Sequence, residues 1–165
     1  MKKLIIFSAI IISVLSVLKY EEVIIPKEAI RFRVIASSNN YNDQRIKKEL
    51  VKELEQDIIK NDLKDINSAR NYFKNTHKFT NIVDKKLKEE NYSRNFNINY
   101  GKNYFPKKVY KNVVYEEGEY ESLVITLGDG LGENFWCVLF PPLCLIDEEE
   151  KEYPSLIKTI IDKYF

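Results

Sequence analysis

Phe135–Asp147 reads FWCVLFPPLCLID, and it holds the chain's one Trp, both of its cysteines and two adjacent prolines. Phe135–Phe140 is an unbroken apolar and aromatic run. A half-exposed strand would alternate with polar residues, so this run predicts a strand buried on both faces, with the core formed around it. Pro141 and Pro142 cannot donate to a sheet ladder, so the strand stops there or lies along an edge. Cys137 and Cys144 stand seven positions apart. In one extended strand their Cα atoms would be separated by roughly 20 Å or more, far beyond the roughly 7 Å a disulfide spans. A bridge therefore requires the chain to double back at Pro141-Pro142, which a cis Phe140-Pro141 or Pro141-Pro142 bond would allow. The alternative is two buried thiols packed as small apolar groups, and this second reading is the one the sequence favours slightly.

Working outward, the chain of 165 residues suits one domain, and its hydrophobic fraction of 44% is that of a folded protein. The formal net charge is +1, so no broad basic field points to nucleic acid. The N-terminus stands apart. Lys2 and Lys3 precede Leu4–Leu18, fifteen residues with only apolar side chains and Ser. A basic start followed by a short apolar run is a secretory signal, and fifteen residues fall short of the roughly 20 that span a bilayer. No small-x-small triplet stands near Leu18 to mark a cleavage site. The expected organisation is residues 1–20 as a signal peptide or N-terminal membrane anchor, residues 21–29 as a spacer, and residues 30–165 as a single extracytoplasmic domain.

Within that body, Val23–Ile25 reads as a short edge segment ended by Pro26. Ile30–Ala36 (IRFRVIA) alternates Ile30, Phe32 and Val34 with Arg31, Arg33 and Ile35, the pattern of a strand. Arg31 and Arg33 then share a face, either as a solvated edge or as a guanidinium pair facing a carboxylate. Ser37–Asn42 is a turn cluster, and Asn42 is the expected cap of an amphipathic helix over Asp43–Lys60 with Ile46, Leu50, Leu54 and Ile58 on its stripe. Two more helical stretches follow, one from near Ser68 with Tyr72 and Phe73, and one to about Glu90 with Phe79, Ile82, Val83 and Leu87. His77 sits at their junction, where an inert surface role is the expected one. Past Asn91 the period changes to two. Phe96, Ile98 and Tyr100 predict a strand, Gly101 a turn, and Tyr104–Lys111 an irregular basic and aromatic segment. Val113–Tyr115 and Glu119–Leu127 read as strands. The loop GDGLGEN (128–134) carries three glycines, but it leads into a strand where a phosphate cradle needs a helix N-terminus. A wide hairpin is expected instead. Pro154 opens a last helix whose stripe is Leu156, Ile157, Ile160, Ile161 and Tyr164. The fold class is α+β: a small mixed or antiparallel sheet of about four strands with two to four helices packed on it.

No catalytic constellation stands out: the lone His has no reason to meet either Cys, and metal-ligand spacing is absent. No cofactor is expected. Four stretches then resemble one family: IRFRVIASSNN with Asp43-Gln44, NYFPKKVY (103–110), GEYESLVITLGDGLGEN (118–134) and FWCVLFPPLCLID. They are similar to the stage II sporulation protein R family of endospore-forming bacteria. Phe135 stands where the family often has Trp, and the Asn-rich Ser37–Asn42 where acidic residues are usual. The resemblance implies a signal made in the forespore and exported into the space between the forespore and mother-cell membranes. There it would trigger a membrane-embedded aspartic peptidase that removes the pro-sequence of sigma factor E. It implies partner contacts through exposed cations and aromatics, for which the candidates are Arg31, Arg33, Tyr104, Lys107, Lys108 and Tyr110, with Asp129, Glu133 and Asn134 in the glycine loop. The rival readings are an exported cell-wall hydrolase using Asp129 or Glu133, and a structural binder of the septal membrane through the N-terminal segment and the last helix.

Overall fold

The computed structural model describes residues 22–110, 112–145 and 153–165. The predicted leader Met1–Leu18, Lys111 and the acidic run 148–152 lie outside the described residues. In chain order the elements are β1 (Val23–Ile24), β2 (Ile30–Ile35), α1 (Tyr41–Lys60), α2 (Ile66–Lys74), α3 (Thr76–Glu89), β3 (Phe96–Phe105), β4 (Lys108–Tyr110), β5 (Val113–Tyr115), β6 (Gly118–Leu127), β7 (Asn134–Phe140), a 3-10 turn (Leu143–Leu145) and α4 (Tyr153–Tyr164). The α+β class holds. The strands form two sheets: a mixed four-stranded one in the order β3-β6-β2-β7 and a three-stranded one in the order β1-β5-β4.

The helices form because their apolar residues recur with helical period and their ends are capped. In α1, Ile46, Leu50, Leu54 and Ile58 lie on one buried stripe, and each such side chain taken from water contributes about 1.5–3 kcal/mol. The cap is Asn40, two residues before the expected Asn42: its side chain accepts from the Asp43 amide at 2.8 Å. Asn42 instead accepts from Arg45. In α2, Asp65 and Ser68 satisfy each other's backbone amides in a capping box. Asn75 ends α2 and caps α3, so the two helices are distinct.

These helices cover one face of the four-stranded sheet. Phe32, Val34, Leu123, Ile125, Leu127 and Leu139 meet Ile46, Leu50, Leu54, Phe73, Phe79 and Val83 in one core. The three-stranded sheet and α4 build a second, smaller core in which Val23, Ile25, Val113, Val138, Leu143 and Ile157 are buried together. Because side chains alternate along a strand, β7 serves both, with Leu139 in the first core and Val138 in the second.

Several expectations change. β7 is an edge strand, the alternative that the two prolines allowed, but its first four residues are half-buried where burial on both faces was expected. The apolar run reflects cover from a core on each side and carries no information about position in the sheet. β3 runs through Gly101 to Phe105, paired along its whole length with β6. The segment expected to be irregular contains β4, which pairs antiparallel with β5. The glycine loop is not a hairpin: β6 and β7 lie on opposite sides of β2, so residues 128–133 pass over its end. Finally, Cys137 and Cys144 are joined in a disulfide with Cα atoms 5.6 Å apart, against the slight preference for thiols. The peptide between Phe140 and Pro141 is cis, the turn the bridge required.

Candidate functional site

The expected contact residues fall in two places, at opposite ends of β2. At its C-terminal end the glycine loop folds onto Ser37–Asn40. Leu131 and Gly132 donate backbone N–H bonds to Ser37 O (3.1 Å) and Ala36 O (2.9 Å), and the Glu133 amide donates to Asn39 Oδ1 at 2.7 Å. Gly128 and Gly130 adopt positive φ, +52° and +65°, which only glycine does at little cost. Beneath the loop two charged side chains are buried. The Lys47 ammonium donates to Gln44 Oε1 (2.6 Å) and Glu133 O (2.8 Å), and burial lowers its pKa. Asp43 accepts from Ser38 Oγ (2.6 Å), Tyr92 OH (3.0 Å) and Asn40 Nδ2 (3.0 Å). Burial alone would raise its carboxyl, but these hydrogen bonds and the Arg94 charge hold it below the usual carboxylate range. Most polar groups here are spent on one another, so this end is a clasp that fixes the loop to α1. Of the predicted residues in it, Asp129 is exposed with Arg94 at 3.8 Å, the Glu133 side chain is exposed, and Asn134 is half-buried at the start of β7.

The other end is a seam between the two sheets, built from cations and rings. Arg31 leaves β2 on the side away from the helices and is buried, 2% exposed. Its guanidinium lies 3.5 Å from the Tyr120 ring centre and 5.6 Å from that of Phe105. It is therefore not a solvated edge, and it forms no ion pair among the described residues. β2 is a central strand and the rings of its neighbours cover it, which overturns its candidacy as a surface contact. Arg33, half-exposed, lies 5.1 Å from the Trp136 ring, its register partner on β7. Lys108 of β4 approaches the same ring at 4.8 Å, and Phe105 meets it edge-on at 5.3 Å. Burial lowers the pKa of both guanidinia, for Arg31 against the opposing pull of Tyr120, Tyr115 and Glu116. Arg31 Nε and Nη2 and Arg33 Nε are buried without a hydrogen-bond partner among the described residues.

Around the seam, Lys107 pairs with Glu116 at 3.0 Å. Tyr104 leaves the face of β3 opposite Phe105 and is exposed, its hydroxyl 3.5 Å from Glu117. Lys108, Val109 and Tyr110 are all exposed along β4. So Arg33, Lys107, Lys108 and Tyr110 flank one seam, whereas Asp129, Glu133 and Asn134 belong to the clasp. Sequence reasoning counted Trp136 as core and missed it as the ring on which Arg33 and Lys108 converge. Its alternation with Phe135 was the available signal, since Phe135 packs on Phe32 in the main core.

His77 is exposed on the first turn of α3. Among the described residues no three His, Cys, Asp or Glu side chains are grouped as for a metal, and no helix is long and apolar enough to cross a membrane.

Residues 26–150 match the family model described as "Stage II sporulation protein R". The chain belongs to that family. The matched span runs from the residues just before β2 through β7 and the Cys137–Cys144 bridge, and so takes in both the clasp and the seam. A curated relative, "Stage II sporulation protein R" of Bacillus subtilis (strain 168), is 37% identical over 130 residues, which is 77% of this chain and 58% of the relative. The chain thus spans less than two thirds of that family member's length. No solved structure matches it.

Proposed function

We propose that this protein is an exported signal of endospore formation that works by being bound. Its body lies between the forespore and mother-cell membranes and activates the membrane-embedded aspartic peptidase that processes pro-sigma-E. Membership of the sporulation protein R family over residues 26–150 is the observation that carries the reading. The predicted leader at Met1–Leu18 agrees with export, as does a disulfide in the body, since such bonds persist in oxidising surroundings.

The chemistry of the seam also supports it. Interfaces draw most of their affinity from a few aromatic and cationic anchors, and exposed Val109 and Tyr110 beside Lys108 supply that mixture on the last strand of the three-stranded sheet. Binding activates if the body prefers the active arrangement of the peptidase over the inactive one. Raising an active fraction from about 1% to about half requires roughly 100-fold preference, near 2.7 kcal/mol, which a small interface can supply. The test is co-expression of the full chain, the peptidase and pro-sigma-E in a host that does not sporulate. Processing should need all three. Processing that proceeds without this chain, or turnover of wall material by the purified chain alone, overturns the proposal.

A further inference from the structure

The seam carries positive charge that the described residues do not neutralise. Lys107 has Glu116, but neither Arg33 nor Lys108 has a carboxylate within the 4.0 Å of an ion pair among the described residues. Both instead lie against one indole, that of Trp136. Ring contacts of this kind attract a cation through the ring quadrupole. They do not replace hydrogen bonds, and Arg33 Nε is buried without one. Buried guanidinium nitrogens without partners are uncommon and call for a reason. Behind them Arg31 adds a third cation, fully buried and also unpaired at two nitrogens.

The strand register shows what lies beside this charge. On the face away from the helices, Asn99, Val124, Arg33 and Trp136 stand in one row across all four strands, and the next row is Asn97, Thr126, Ile35 and Asn134. Asn97 and Asn99 are exposed, and Thr126, Ile35 and Arg33 half-exposed. Val124 is buried between them, so among the described residues this part of the face is exposed along its Asn edge and half-exposed at Thr126, Ile35 and Arg33, with one charged end.

We infer that this open face, with Arg33, Trp136 and Lys108 at its head, docks an acidic segment of a protein partner, one carboxylate of which bridges Arg33 and Lys108. A carboxylate there gains charge-assisted hydrogen bonds from cations that the described residues leave without an acidic partner. The inference rests on the functional reading above, in which the segment belongs to the extracytoplasmic side of the peptidase. It adds the chemistry of that contact and the residues that read it.

Trp136 is the chain's one Trp, so its emission reports the site directly. In the purified full chain, hexaglutamate peptide should change Trp136 emission saturably and hexaglutamine should not. Lys108→Glu, at an exposed position, should weaken hexaglutamate by tenfold or more at unchanged melting temperature. In the co-expression assay Lys108→Glu should cut processing at least tenfold, while Lys102→Glu, on the opposite face of β3, should leave it unchanged. No response to hexaglutamate in the wild type, or equal half-saturation in Lys108→Glu, overturns the inference. So does a response to phosphatidylglycerol vesicles without one to the peptide, which assigns the face to a lipid surface. Unchanged processing by Lys108→Glu, with the wild type still activating, removes the docking site and leaves the proposed function standing. Peptide binding without activation by the wild type does the reverse.

Discussion

Replacing Gly132 and Gly101 separately by alanine tests the account of the glycine loop. A Cβ at Gly132 would stand closest to the Ser38 carbonyl oxygen, 2.6 Å from its carbon and 2.9 Å from Ala36 Cβ, where ordinary contact begins at 3.4 Å. The Ser38 carbonyl is backbone and cannot swing aside, so loop and turn must part by at least about 0.8 Å. That movement acts on the bonds from Leu131, Gly132 and Glu133 to Ser37, Ala36 and Asn39. Two or three hydrogen bonds at about 1 kcal/mol each give a loss of about 2–3 kcal/mol. For a chain of this size that lowers the melting temperature by roughly 5–12 °C. At Gly101 a Cβ would meet only Asn99 Oδ1, at 3.7 Å. The residue lies inside β3, where alanine loses less backbone entropy than glycine, so Gly101→Ala should stabilise by about 0.5–1 kcal/mol. Thermal unfolding followed by circular dichroism reads both. The reasoning fails if Gly132→Ala melts within about 2 °C of wild type, or if Gly101→Ala falls as far as Gly132→Ala.

Other outcomes follow from the same contacts. Arg31→Met should be neutral or stabilising in thermal unfolding, because an apolar chain of similar length replaces a buried cation that has no ion-pair partner among the described residues. Arg31→Ala should instead cost about 2–4 kcal/mol through the cavity it leaves beside Tyr120 and Phe105; equal melting of the two variants would contradict the packing. Alkylation without reductant should add no label and two after reduction, and Cys137→Ser should cost about 2.5 kcal/mol for a loop of separation 7. Asp43 titrates below its ordinary range in the folded state, so its contribution is present above the unfolded pKa and is lost as pH falls through the folded one, that is below about pH 4. Asp43→Asn should therefore flatten the fall in melting temperature below about pH 4; an unchanged slope would contradict the assigned hydrogen bonds.

The helices were legible because their signals are local: a four-residue recurrence from Ile46 to Ile58 fixes a face wherever the helix packs. What was misread depends on partners distant in sequence. Asn40 and Asn42 are equivalent as caps until Ser38 and Asp43 hold the Asn40 side chain in place. Gly101 reads as a turn by propensity, and ten registers with β6 override it. The loop at 128–133 looks like a hairpin because nothing near it announces that β2, about a hundred residues earlier, lies between its two strands. The same insertion buries Arg31 and sets Arg33 against Trp136. The candidate site was therefore visible as residue types and invisible as an arrangement. The positions at the seam other than Arg31 remain candidates, and the rings that organise them came only from the fold.

The measurement that bears most directly on the central claim is pro-sigma-E cleavage with this chain held on one side of the membrane or the other. A host carrying the peptidase and pro-sigma-E receives the chain either with its leader or lacking residues 1–20. The account predicts cleavage with the leader-bearing chain and none with the chain confined to the cytosol. Cleavage by the cytosolic form, or by either form with the peptidase left out, would contradict it.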